Sequence, residues 1–139
     1  MTRGPHLVKF GAAVTAALFL AAVARPVFLP PVQGGLWEVS GAPAAKAPLR
    51  ICLGDMITLA RFEHRDKSCS ATVLKSTGSL TAIDYQCPGA GFGHSEVDML
   101  TPRSLRISTQ GISGGLPFNY VLQAHRIGDC PKVDDAARH

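Results

Sequence analysis

Between Ala71 and Ala124 the chain runs in short segments, parted by turns, in which inward side chains alternate with outward ones, and a period of two is that of a β-strand with one face against a core. Ala71 to Lys75 reads as a strand, Ser76 to Ser79 as a turn, and Leu80 to Cys87 as a second strand with Thr81, Ile83, Tyr85 and Cys87 on one face. A further hairpin runs from Glu96 to Leu100, with Val97 and Met99 inward, turns at Thr101 to Arg103, and returns over Leu105 to Thr109. After a glycine-rich loop from Gly111 to Pro117, a last long strand places Phe118, Tyr120, Leu122 and Ala124 on one face. Near the other end, Gly35 to Ser40 alternates in the same way, with Trp37 and Val39 together.

A short apolar stretch at Leu49 to Leu53 precedes the one helical signal. Asp55 is placed to cap about two turns whose Met56, Leu59 and Ala60 share a face. Six or so strands joined by close turns, with no helical crossover long enough for a parallel unit, predict a single antiparallel domain. The expected fold is mainly β, a meander or partial barrel with one short helix.

About 100 residues make only a modest core, so covalent cross-links are useful to a domain of this size. The four cysteines, Cys52, Cys69, Cys87 and Cys130, contain no C-x-x-C, which argues against a thioredoxin-type motif, a zinc ribbon or haem attachment. They read as two disulfides stapling the domain. Four cysteines allow three connectivities. Cys52 with Cys69 across the helix, and Cys87 with Cys130, is the expected map, because directly cross-strand bridges are geometrically demanding. The rival joins Cys69 to Cys87 across the Ser76 to Ser79 hairpin and leaves Cys52 with Cys130.

Oxidised cysteines require an oxidising compartment, and the N-terminus supplies the route. Arg3 and Lys9 precede the uncharged stretch Phe10 to Ala24, which ends in the small-residue site Ala22-Val23-Ala24. Residues 1–24 are thus expected to be a signal peptide. The alternative, an uncleaved anchor, would need a span of about 20 residues that includes Arg25, at a cost of about 3 kcal/mol near the bilayer centre, or that snorkels it. Residues 25–34, with Pro26, Pro30 and Pro31, read as a linker, residues 35–131 as the β domain, and residues 132–139 as a flexible tail.

The chain carries 14 Lys and Arg against 10 Asp and Glu, but Arg3 and Lys9 leave with the signal peptide, and the remaining charges are mixed in sign. That distribution describes a soluble face and excludes nucleic acid as an expected partner. No metal or other cofactor is expected, since an oxidising compartment competes for the thiolates that would join His64, His94 or His125 in a zinc site.

Two glycine motifs invite a chemical reading. Gly111-Ile112-Ser113-Gly114-Gly115 matches the G-x-S-x-G of a hydrolase nucleophile elbow, yet a strand rather than a helix follows and no acid lies between Ser113 and His125. Gly89-Ala90-Gly91-Phe92-Gly93 lies between strands, where a dinucleotide-binding loop would open a helix, and reads as a loop or bulge. His94 and Ser95, with Glu96 and Asp98 on the next strand, could form a small polar site. Trp37, Phe92, His94 and Phe118 are the candidates for a ligand pocket under the glycine-rich loops.

The signal peptide, the Gly35-Leu36-Trp37-Glu38-Val39 opening and four cysteines ending in Gly128-Asp129-Cys130 together make the chain similar to a bacterial exported family, domain of unknown function 3617. The resemblance covers roughly residues 34–131 and implies the compartment and the fold. The chain lacks the Met-rich segment that follows the first strand in many members, and its first cysteine loop is shorter, so only the cysteines are carried over.

The function these features imply is that of an uncharacterised exported (periplasmic), non-catalytic binding or structural module of the cell envelope. Its partner would be a small apolar ligand, a lipid or an envelope protein. A small periplasmic enzyme using Ser113, His94 or His125 is the alternative. An uncleaved N-terminus would instead give a membrane-tethered accessory protein.

Overall fold

The computed structural model describes Met1, Gly4 and residues 32–132. The signal segment otherwise, the linker up to residue 31 and the tail beyond Lys132 lie outside the described residues. Seven antiparallel strands form one open sheet: β1 (Gly35–Ser40), β2 (Leu49–Leu53), β3 (Ser70–Thr77), β4 (Leu80–Cys87), β5 (Gly91–Thr101), β6 (Ser104–Ser113) and β7 (Leu116–Gly128). Their order is β2-β1-β7-β6-β5-β4-β3. Strands β3 to β7 are a meander, and the β1–β2 hairpin joins it by laying β1 beside β7, with Val39 opposite Ala124.

The alternation that marks the strands also sorts the two faces. Trp37, Val39, Ile83, Val97, Leu105, Ile107, Leu122 and Ala124 are all buried on one face. Residues 54–69 cross that face from the β2 edge to the β3 edge as a strap, adding Met56, Leu59, Ala60 and Phe62 to the same core. Full burial of each Val, Leu, Ile, Phe or Met among them contributes roughly 1.5–3 kcal/mol. The Ser95 hydroxyl fixes the strap to the sheet, donating to the Ala60 carbonyl at 2.5 Å and lying 2.8 Å from Thr109 Oγ1.

The helix is shorter than its apolar spacing predicts. The Asp55 carboxylate accepts the Thr58 N–H at 3.1 Å, but α1 (Ile57–Ala60) is a single turn. Arg61 leaves helical geometry and a 3-10 turn, Phe62–His64, follows. The tighter turn rotates both Phe62 and His64 into the core, which a second α-turn would not do.

Both glycine-rich segments are more ordered than loops. β5 already begins at Gly91, and β6 runs on to Ser113, where Gly114 and Gly115 at φ +56° and +81° make a two-residue hairpin turn. Both angles lie in the left-handed region, as a type I′ turn requires. Residues 32–34, assigned to the linker, already dock: Val32 packs on the core and the Gln33 N–H donates to the Pro102 carbonyl.

Two disulfides staple the domain, and their pairing corrects the expected map. Cys69 is joined to Cys87 and Cys52 to Cys130, with Cα separations of 4.2 and 5.6 Å. Neither Cys52–Cys69 nor Cys87–Cys130 forms. The reason lies in strand register. Ser70 pairs with Gln86, so one further step along the β3–β4 ladder sets Cys69 opposite Cys87. Similarly Leu36 pairs with both Cys52 and Gly128, which brings Cys130 across β1 to β2.

Tyr85 and Tyr120 are the chain's two tyrosines, and both are held in the protonated form. Burial raises the Tyr85 phenol, the Thr109 hydroxyl offsets part of this, and the charge of Glu63 adds to it. Burial also raises Tyr120, whose hydroxyl donates to the Glu63 carboxylate at 2.8 Å. Since both are raised in the folded state, their contribution is fully present below the free-phenol value of 10.0 and is lost as pH rises above it. Ultraviolet titration is therefore expected to show less phenolate in the folded protein at pH 10 than two free tyrosines give, with the remainder appearing on alkaline unfolding. Phenolate at the level of two free tyrosines at pH 10, with unchanged β-sheet circular dichroism, would contradict this.

Candidate functional site

On the face away from the strap, strand register lines side chains up in rows across β4, β5, β6 and β7. One row is Asp84, His94, Gln110 and Asn119; the next is Gln86, Phe92, Ile112 and Pro117. Together they line a cleft of about 700 Å³. The row between them is Tyr85, Gly93, Gly111 and Phe118. Alternation turns its side chains to the core face, so it meets the cleft from beneath.

The two glycines in that row are there for close approach. A Cβ on Gly93 would collide with the Tyr85 ring, and one on Gly111 with the Phe92 carbonyl and, at 3.0 Å, with Phe118 Cε1. Tyr85 and Phe118 thus pack directly onto backbone, with His64 between them. The His64 ring centroid lies 5.6 Å from that of Tyr85 and 5.9 Å from that of Phe118. His64 Nε2 lies 3.3 Å from the Ala90 carbonyl oxygen, closing the end of the core.

Of the four pocket candidates, Phe92 and His94 present side chains to the cleft. Phe118 borders it from the core side, and Trp37 is remote from it. Trp37 is fully buried between β2 and β7, with Nε1 donating to the Gln33 carbonyl at 3.1 Å. It is a core residue, because its position on β1 has the parity of Val39. Phe92, by contrast, is 54% exposed on the opposite parity.

The polar row is partly organised. His94 Nδ1 lies 2.6 Å from Asp84 Oδ1 in a hydrogen-bonded pair open to solvent. Such a pair contributes at most about 1 kcal/mol to stability, so its interest is in what it presents to a ligand. Next to it, a polar recess of about 220 Å³ extends the cleft past Glu96 and Ser108. Of the other polar candidates, Ser95 faces the core, and Asp98 stands opposite Leu80 and Arg106 on the cleft's face of the sheet but does not line the cleft.

Ser113 ends β6 opposite Leu116, and His125 is engaged elsewhere: its Nδ1 lies 3.1 Å from Ser104 Oγ. This serine–histidine contact was not legible from sequence order, since it depends on Ser104 and His125 standing opposite each other on β6 and β7. Glu38 is the next neighbour of His125 across β1, but its carboxylate meets Arg50 at 3.4 Å. The Ser104 contact lies at the start of β6, where Ser104 stands opposite Thr101 of β5 on one side and His125 of β7 on the other.

Among the described residues no three His, Cys, Asp or Glu side chains gather as a cation site. Nor is any described helix long and apolar enough to cross a membrane. Comparison with protein-family models, with curated proteins and with solved structures finds no match.

Proposed function

We propose that this chain is an exported, non-catalytic binding module of the cell envelope, a relative of the domain of unknown function 3617 family, and that it holds a small molecule in the cleft beside Phe92. The observation that carries this reading is the cleft's build. An exposed aromatic ring, with Ile112 and Pro117 in the same row, lies one strand row from four polar side chains. An apolar wall with a few convergent polar groups is the usual composition of a small-molecule site. Two disulfides agree with an oxidising compartment, and the Arg3 to Ala24 segment supports export by a cleaved signal.

Mass spectrometry of small molecules that co-purify with the protein from its native envelope tests the reading. A compound retained by the native chain and lost from Phe92→Ala is the expected result; identical extracts from the two would count against the cleft. N-terminal sequencing of the same material should begin at or near Arg25, whereas an intact Met1 on membranes would favour the tethered form.

Ser113→Ala is expected to leave any envelope phenotype unchanged. A fluorophosphonate probe should label neither Ser113 nor Ser104. Labelling of either serine, abolished by its alanine variant, would replace the binding reading with an enzymatic one.

A further inference from the structure

We propose that the cleft is a site for a neutral saccharide of one or two rings. This rests on the binding reading above and specifies the ligand's chemistry. Charge is the first argument. Among the described residues no Lys or Arg lines the cleft, and its carboxylate and imidazole, Asp84 and His94, face each other as a pair. A phosphate or carboxylate headgroup would meet no free cation there, and the one carboxylate is already engaged by an imidazole.

Hydrogen-bonding capacity is the second. Gln86, Gln110 and Asn119 each present a planar carboxamide with two donor hydrogens and an acceptor oxygen. A hydroxyl is both donor and acceptor, so adjacent hydroxyls on a ring can engage both ends of one carboxamide. An aliphatic chain would displace water from these groups and return nothing, leaving polar atoms unpaired.

Shape is the third. Phe92 offers an aromatic face, whose negative quadrupole attracts C–H edges, and Ile112 and Pro117 continue the apolar row. A pyranose ring has a face of C–H groups and a rim of hydroxyls. Laid on Phe92, it directs that rim toward the Asp84–His94–Gln110–Asn119 row. The recess past Glu96 and Ser108, continuous with that row through His94, Gln110 and Asn119, leaves space for a second ring.

The test is a nuclear magnetic resonance titration of the ¹⁵N-labelled, oxidised full chain with two sets of probes at millimolar concentration. One set comprises glucose, mannose, galactose, N-acetylglucosamine and their disaccharides; the other is the fatty acid laurate. At least one saccharide is expected to shift the amides of Phe92, His94, Gln110 and Asn119. Its affinity should fall about tenfold in Gln110→Leu and in Phe92→Ala, the scale of one lost polar or stacking contact. Both positions are at the surface, and amide dispersion verifies that the variants fold. If laurate moves these amides and no saccharide does, the saccharide assignment is overturned while the binding reading stands. If neither set moves them and no compound co-purifies, both fall.

Discussion

Reduction of both disulfides is expected to unfold the domain at ordinary temperatures. The Cys52–Cys130 bridge closes a loop of sequence separation 78, and Cys69–Cys87 one of 18. On the chain-entropy relation these contribute about 4.5 and about 3 kcal/mol respectively. A domain of this size has a net stability of about 5–15 kcal/mol, so losing both removes from about half to all of it. Denaturant unfolding of the oxidised protein, the doubly reduced protein and two paired variants separates the terms. Cys52→Ser with Cys130→Ser should cost more than Cys69→Ser with Cys87→Ser. An unchanged midpoint on full reduction would refute the framework, and non-reducing peptide mapping that recovered a Cys52–Cys69 peptide would refute the connectivity.

Trp37→Ala should destabilise the protein by about 3–5 kcal/mol, the range for removing a large aromatic from a close-packed interior. The residue is wholly buried on β1, which lies between β2 and β7, and its indole N–H also holds the Gln33 carbonyl just before β1. Relaxation around the space left behind is limited, because the neighbours are themselves strand residues fixed by ladders. Trp37→Phe keeps part of the volume and should lose less. Ligand retention by folded Trp37→Phe should match the native chain, since Trp37 is not among the cleft's side chains. A Trp37→Ala protein as stable as the native one would show that this interior does not depend on the indole.

Much of the sheet was legible because its inner face obeys the two-residue period without exception from Thr81 to Cys87. Trp37 and Val39, the inward Val97, and the Leu122 to Ala124 pair were placed correctly for the same reason. What escaped the sequence was register. Treating Gly89 to Gly93 as a loop removed Gly91 to Gly93 from β5, and treating Gly111 to Pro117 as a loop shortened β6 and β7. Those residues carry the pairing that sets Gln110 and Asn119 beside His94. Without it the cleft could be reduced only to Phe92, His94 and Phe118, with an unrelated tryptophan. The disulfide map failed for a related reason. The strain expected of a bridge across neighbouring strands outweighed the nearness that a turn at Gly78 implies, and the one-residue bulge at Leu74, which brings the ladder into the register that sets Cys69 facing Cys87, leaves no mark in the sequence.

The bridge between Cys52 and Cys130 also determines how the molecule would bear load. Everything from the strap to the last strand lies inside one covalent ring, and the chain leaves that ring on the N-terminal side at β2 and on the C-terminal side just beyond β7. A pull on the two ends, such as that exerted by a translocating or degrading machine, can peel β1 and β2 away, releasing about 17 residues or roughly 60 Å of extended chain. It then meets a bond, and the force passes through sulfur without reaching the cleft. The cleft is thereby insulated from tension on the termini for as long as the Cys52–Cys130 bridge stays oxidised.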